Sequence, residues 1–226
     1  MLLGCCLGLG VITTSPAGAA WHLTYEAVGD DAPRHTYFVV RPDAVEWLDE
    51  QRRTLWRFER RSRVLVRFDP SQDSRETIDD TAIAAIADGL ARAGVLGLGR
   101  GFARPWAALE AADRWTPLPA PAAAPIAACR RLALHAATGP VGETCIAEPD
   151  TLPSGLALMQ LLLALSDLAD ALRRRLPDAM PADWPLHPLV VAARTGGLPL
   201  SVIEHLPGER RREWRLAGRP STDFMR

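Results

Sequence analysis

Five histidines, four cysteines, one serine beside a glycine and the Asp-x-x-x-His spacing at 183/187 are the places where this sequence could hold a reactive site. The histidines are His22, His35, His135, His187 and His205. No two stand at i, i+4 and there is no H-E-x-x-H, so a metal would have to be gathered across strands. No metal site and no cofactor are expected. Asp183 and His187 flank Trp184-Pro185, close enough for an acid-base pair, but a loop packed on Trp184 accounts for the same residues. Ser154, in Pro153-Ser154-Gly155, lacks the G-x-S-x-G elbow and the buried strand that present a nucleophile. It reads as a helix N-cap. LGLGRG (96–101) lacks the lysine and the Ser/Thr of a phosphate loop and reads as a hinge.

The cysteines say more about compartment than about catalysis. Cys5 and Cys6 lie in MLLGCCLGLGVITTSPAGAA, where Leu2–Ile12 has the length of a signal-peptide core and Ala17-Gly18-Ala19 offers a small-residue cleavage site. The run is shorter than the roughly 20 apolar residues that span a bilayer. Residues 1–20 are therefore read as a cleaved signal, giving a periplasmic or exported protein. A lipoprotein would need an upstream start that moves Cys5 or Cys6 away from the N-terminus. Cys129 and Cys145 remain, without the C-x-x-C of a redox pair or further ligands for zinc. In an exported chain they read as a disulfide. A strand pair turning at Gly139-Pro140 would set Cys129 too far from Cys145, whereas a turn near Ala137-Thr138 brings the sulfurs within reach. Such a bridge is expected on a sheet edge.

A net charge of -1 and 48% hydrophobic residues describe an ordinary globular chain and argue against a dedicated nucleic-acid binder. All 26 basic residues are arginine, so every cation is a planar fork suited to bidentate pairing and to stacking on aromatic rings. Arginines alternate with aromatics in WRFERRSRVLVRF and REWR, as they do where a sheet turns aromatics inward and arginines outward.

The positioning elements follow from periodicity. WHLTYEAV (21–28), 35–42 and 44–49 read as strands. TLWRFERRSRVLVRFDP (54–70) reads as a hairpin turning around Arg61. That register pairs position 58 with 64 and 56 with 66. It places Trp56, Phe58, Val64, Val66 and Phe68 on one face, Arg57 and Arg67 on the other, and Glu59 opposite Arg63. A helix capped by Asp80 runs to Arg92, and a short second helix opens at Arg104-Pro105-Trp106. PLPAPAAAP (117–125) is an extended linker. Residues 126–136 and 141–149 form a second hairpin. A long helix over about 154–176 carries Leu158, Leu161, Leu162, Leu165, Leu168, Leu172 and Leu176 as an apolar stripe. Asp167 and Asp170 interrupt it, so no transmembrane span is expected in the mature chain. Residues 189–194, 199–206 and 212–217 close the chain as strands. The fold class is α+β, an antiparallel sheet curling around helices. It forms a single domain over 21–220 with a helical insertion at about 76–115 and a short tail, 221–226.

The opening strand WHLTYEAV, the pair AVEWLDEQRRTLWRFERRSRVLVRFDP, the cysteine-led CRRLALHA with its partner GETCIAEP, and the closing GGLPLSVIE together resemble the periplasmic lipoprotein-localisation (Lol-type) superfamily. They resemble more closely an uncharacterised exported family sharing that fold. The resemblance covers roughly residues 21–217. It implies a curved antiparallel half-barrel closed by helices, of the kind whose relatives carry acyl chains. No ligand-binding residue of those carriers maps onto a position here, and the stretch at 76–115 departs from them.

The expectation is a non-enzymatic envelope protein that binds a hydrophobic ligand (an acyl chain or lipid), a lipoprotein or an envelope protein partner in an apolar concavity. Trp56, Phe58, Val64, Val66, Phe68, Leu158, Leu162 and Leu165 would line it. The alternatives are an interaction module with a filled core, or a hydrolase built on His187 and Asp183 or on Ser154.

Overall fold

A computed structural model describes residues 20–29, 34–95, 103–104, 107–119, 129–181 and 187–217. The proposed signal, the LGLGRG stretch, most of the Pro/Ala linker, Asp183 with Trp184, and the tail lie outside the described residues.

Eleven strands form one open, curved, antiparallel sheet. They are β1 (Trp21–Gly29), β2 (Arg34–Val40), β3 (Ala44–Leu48), β4 (Thr54–Glu59), β5 (Val64–Asp69), β6 (Ser74–Ile78), β8 (Arg114–Pro117), β9 (Arg130–Ala136), β10 (Gly139–Ala147), β12 (Leu198–His205) and β13 (Arg211–Leu216). The short β7 (Ala103–Arg104) and β11 (Met180–Pro181) pair separately. The order across the large sheet is β6-β5-β4-β3-β2-β1-β13-β12-β10-β9-β8, so the last two long strands return to pair beside the first. Among the described residues three α-helices accompany it, α1 (Asp80–Val95), α2 (Gly155–Arg175) and α3 (Pro188–Ala193), with a short 3-10 turn at Pro149–Thr151.

Cross-strand partners share a face, so the register traces the inner surface directly. One row runs Leu23, Phe38, Trp47, Trp56 across β1 to β4. Another runs Ala27, Trp214, Val202, Thr144, Leu132 across β1, β13, β12, β10 and β9. Apart from Thr144 and Leu132, which are buried at the far end of the second row, these residues and the buried leucines of α2 belong to one hydrophobic core. Helix α2 touches β2, β3, β4 and β5 on one side and β12 on the other, which puts it inside the sheet's curve. It is long and apolar enough to cross a membrane by length and composition, with mean hydropathy 1.5. Most of that surface is instead buried in the core, and Asp170 on it receives Arg194 at 2.8 Å.

Four local expectations change. The hairpin of β4 and β5 pairs Phe58 with Leu65 and Glu59 with Val64, one residue away from the expected register. Its loop is the four residues Arg60–Arg63, with Arg63 in the left-handed region at φ 57°, rather than a three-residue turn at Arg61. A one-residue slip exchanges faces. Leu65, not Val64 or Val66, therefore joins Phe58, and Arg67 comes to lie opposite Trp56. Arg57 keeps its outward place, pairing with Glu46 at 2.9 Å, while Glu59 faces Val64 rather than Arg63.

Residues 189–193 form helix α3 instead of a strand. His187 and Pro188 supply a cap and a tolerated first-turn proline, and all five residues from Leu189 to Ala193 are buried. A short run that is apolar on every side carries no period to separate strand from helix.

The described residues of the expected helix at 104–112 form no helix. Arg104 belongs to β7, and residues 108–111 make a turn that leads into β8. The cap of α1 is Asp79, whose Oδ1 accepts from the Ala82 N–H at 2.8 Å, one residue before the expected Asp80.

The second hairpin turns at Ala137-Thr138 as expected, pairing Ala136 with Gly139. A bulge at Val141 then shifts the register so that Cys145 faces Arg131. Cys129 and Cys145 form the disulfide diagonally, with Cα atoms 5.5 Å apart. The bridge joins the end of β10 to the residue before β9. It lies one strand in from the sheet edge, which is β8.

Candidate functional site

The residues expected to line a ligand cavity divide into two groups. Trp56, Phe58, Leu158, Leu162 and Leu165 do meet in the concavity, but each is between 0% and 5% exposed and packed in the continuous core. Val64, Val66 and Phe68 are carried by the hairpin register to the opposite face of the sheet. Helix α2 thus fills the concave surface with leucine side chains, each worth about 1.5–3 kcal/mol when removed from water.

Of the residues of the hydrolase alternative, His187 and Ser154 are described. His187 caps α3. Its Nδ1 accepts from the Leu189 N–H at 3.3 Å, which leaves the ring proton on Nε2 to be donated to Thr36 Oγ1 at 3.1 Å. The imidazole lies edge-on to Trp47 and Trp214, with ring centres 5.3 and 4.0 Å away. Burial among these rings, aided by the positive charge of Arg212, pushes its pKa down to about 3. Arg212 itself is 3.7 Å from Glu204. Ser154 stands at the N-cap position of α2 with φ 68°, yet its side chain makes no capping bond. Its Oγ is buried without a hydrogen-bond partner, so no base is aimed at it. Asp183 lies outside the described residues. Among the described residues, no group of three His, Cys, Asp or Glu side chains is placed to hold a metal ion.

A pocket of about 360 Å³ opens elsewhere, at the end of the inner face where α2 begins. Trp21 and Val40, paired across the start of β1 and the end of β2, form one wall. The turn that follows β2 adds Arg41 and Pro42. The segment leading into α2 adds Pro149, Asp150, Leu152 and Ser154, and the first turn of α2 adds Gly155, Leu156 and Ala157. Arg60, from the β4–β5 loop, completes the lining. Its guanidinium is fixed by donating Nη1 to Pro42 O at 2.8 Å and Nε to Gln160 Oε1 at 3.2 Å. Arg41 is freer: its side chain is 42% exposed, and its Nε lies 3.7 Å from Glu46. Leu156 is 59% exposed, a large apolar side chain left facing water beside this opening. Two further clefts surround the β5–β6 turn, lined by groups such as Arg53, Asp69, Asp73 and Arg75.

Sequence reasoning missed this pocket because it joins four separated segments. One signal was available. Leu156 and Leu163 fall off the stripe made by Leu158, Leu161, Leu162 and Leu165, and those two leucines are the ones on α2 that remain exposed.

Comparison of the chain with family models, with curated proteins and with solved structures gives no match.

Proposed function

We propose that this protein is a non-enzymatic binding module of the cell envelope whose half-barrel is a filled scaffold, with recognition carried by its rim. The occupation of the concavity supports this reading most strongly. Leu158 and Leu162 are 0% exposed and Leu165 is 2% exposed, so an acyl chain could enter only if α2 left the sheet. Removing such a helix would expose apolar surface at roughly 25 cal/mol per Å². Export is favoured by the disulfide, since such bonds persist in oxidising compartments, and by the signal-like segment 1–20. The hydrolase alternative is disfavoured by the tethering of His187 and the isolation of Ser154 Oγ.

Native mass spectrometry of protein purified from its own envelope, followed by solvent extraction, tests the proposal. The expected result is a polypeptide mass two hydrogens below the reduced chain, with no acyl chain retained until unfolding. An acyl mass released only on unfolding would overturn the filled-scaffold reading in favour of a carrier whose ligand sits beneath α2.

A further inference from the structure

Resting on the binding-module reading, we infer that the pocket at the start of α2 is a site for a small amphipathic monoanion, an apolar body ending in one carboxylate. Three features of the pocket converge on that chemistry.

The first is charge. The lining contains Arg41 and Arg60 against a single acid, Asp150, which stands exposed at the rim. Arg60 is held by Pro42 and Gln160, so its position is set before a ligand arrives. Arg41 has no ion pair closer than 3.7 Å among the described residues, which leaves its terminal nitrogens for a carboxylate, the geometry its fork suits.

The second is the helix end. Helix α2 starts with no acidic residue in its first turn and no side-chain cap from Ser154. Gly155 N–H donates to Leu152 O and Leu158 N–H to Ser154 O, both at 3.0 Å, so what the helix end offers the pocket is its positive dipole, with no first-turn carboxylate to offset it. The two arginines exceed the one acid of the lining by one positive charge, the helix dipole adds to it, and a monoanion matches that excess.

The third is the apolar surface. Trp21, Leu152 and Leu156 border the same opening, and Leu156 stays exposed although leucines two and five residues later are buried. A volume of about 360 Å³ falls at the small end of the range for small-molecule sites. It suits a compact amphiphile rather than a folded partner.

The probe is decanoate, compared with decanol and decyltrimethylammonium, which share the chain and differ in charge. The readout is the indole N–H resonance of Trp21, assigned by its loss in Trp21→Phe. Decanoate is expected to shift this resonance saturably with a dissociation constant below about 1 mM. Decanol and the cation should bind at least about tenfold more weakly, the weight of one charge-assisted hydrogen bond. Arg41→Gln should weaken decanoate and leave decanol unchanged. Leu156→Asp, at an exposed position where an acid suits the helix dipole, should abolish decanoate binding in a folded protein. Equal affinities for the three amphiphiles, or no response at Trp21, would overturn the assignment. Neither outcome touches the filled-scaffold reading, which fails separately if extraction releases an acyl chain only on unfolding.

Discussion

At the scale of single residues, His187 shows how a group that suggests catalysis can be absorbed by structure. Its two nitrogens are engaged by Leu189 and Thr36, and enclosure lowers its pKa from 6.5 to about 3. The folded state therefore keeps the ring neutral where the unfolded chain would protonate it. Between pH 6.5 and about 3 the unfolded state binds more protons, so this contribution is full above pH 6.5 and is lost as pH falls toward 3. His187→Asn retains an N-cap acceptor and removes the titration. Urea midpoints measured over this range should decline less steeply for the variant than for the wild type; parallel curves would contradict the account. Thr36→Val leaves the Nε2 proton without an acceptor and should cost about 1–3 kcal/mol by the same measurement.

At the scale of elements, close approach and local propensity compete. Gly155 begins α2 where a methyl group would press into Pro149 O and come within 3.0 Å of Leu198 Cδ2. Gly155→Ala should lower thermal stability even though alanine is the better helix former. Gly89, inside α1, has open space instead, with nothing within 4 Å of where a methyl group would stand. There the propensity difference of about 0.8–1.0 kcal/mol should appear as a gain. Opposite signs in calorimetry are expected, and two gains would mean that the start of α2 is not held against the segment before it. The same reasoning explains α3: burial on all sides and a capping histidine decided its helical state, where β-branched composition pointed to a strand.

Across the molecule as a whole, stability rests on one core shared by both halves of the sheet. Leu162 is fully buried between them, so Leu162→Ala should cost about 2–5 kcal/mol through lost transfer energy and a residual cavity. Leu163→Ala, beside it on the same helix but 41% exposed, should change the midpoint little. Comparable losses would show that α2 is covered by something on its outer face. The Cys129–Cys145 bridge, with a sequence separation of 16, acts on the unfolded chain. Replacing both cysteines by serine should remove about 3 kcal/mol, read from denaturation midpoints of oxidised and substituted protein.

The α+β class, most of the antiparallel strands, the long leucine helix and the Cys129–Cys145 pairing with its turn at Ala137-Thr138 are all legible in the sequence. Each is encoded locally, by periods of 2 or 3.6 and by spacing along one hairpin. What remains is settled by how distant segments meet. Whether the loop after Glu59 held three or four residues depended on Arg63 adopting a left-handed conformation, and that single residue moved Val64, Val66 and Phe68 to the other face. Whether the leucines of α2 line a void or fill one depends on how far the sheet curves, a property of strands paired over almost the whole chain. The pocket at Trp21, Arg41, Arg60 and Leu156 exists only because three separated strand ends meet the start of one helix, and no local pattern records such a meeting.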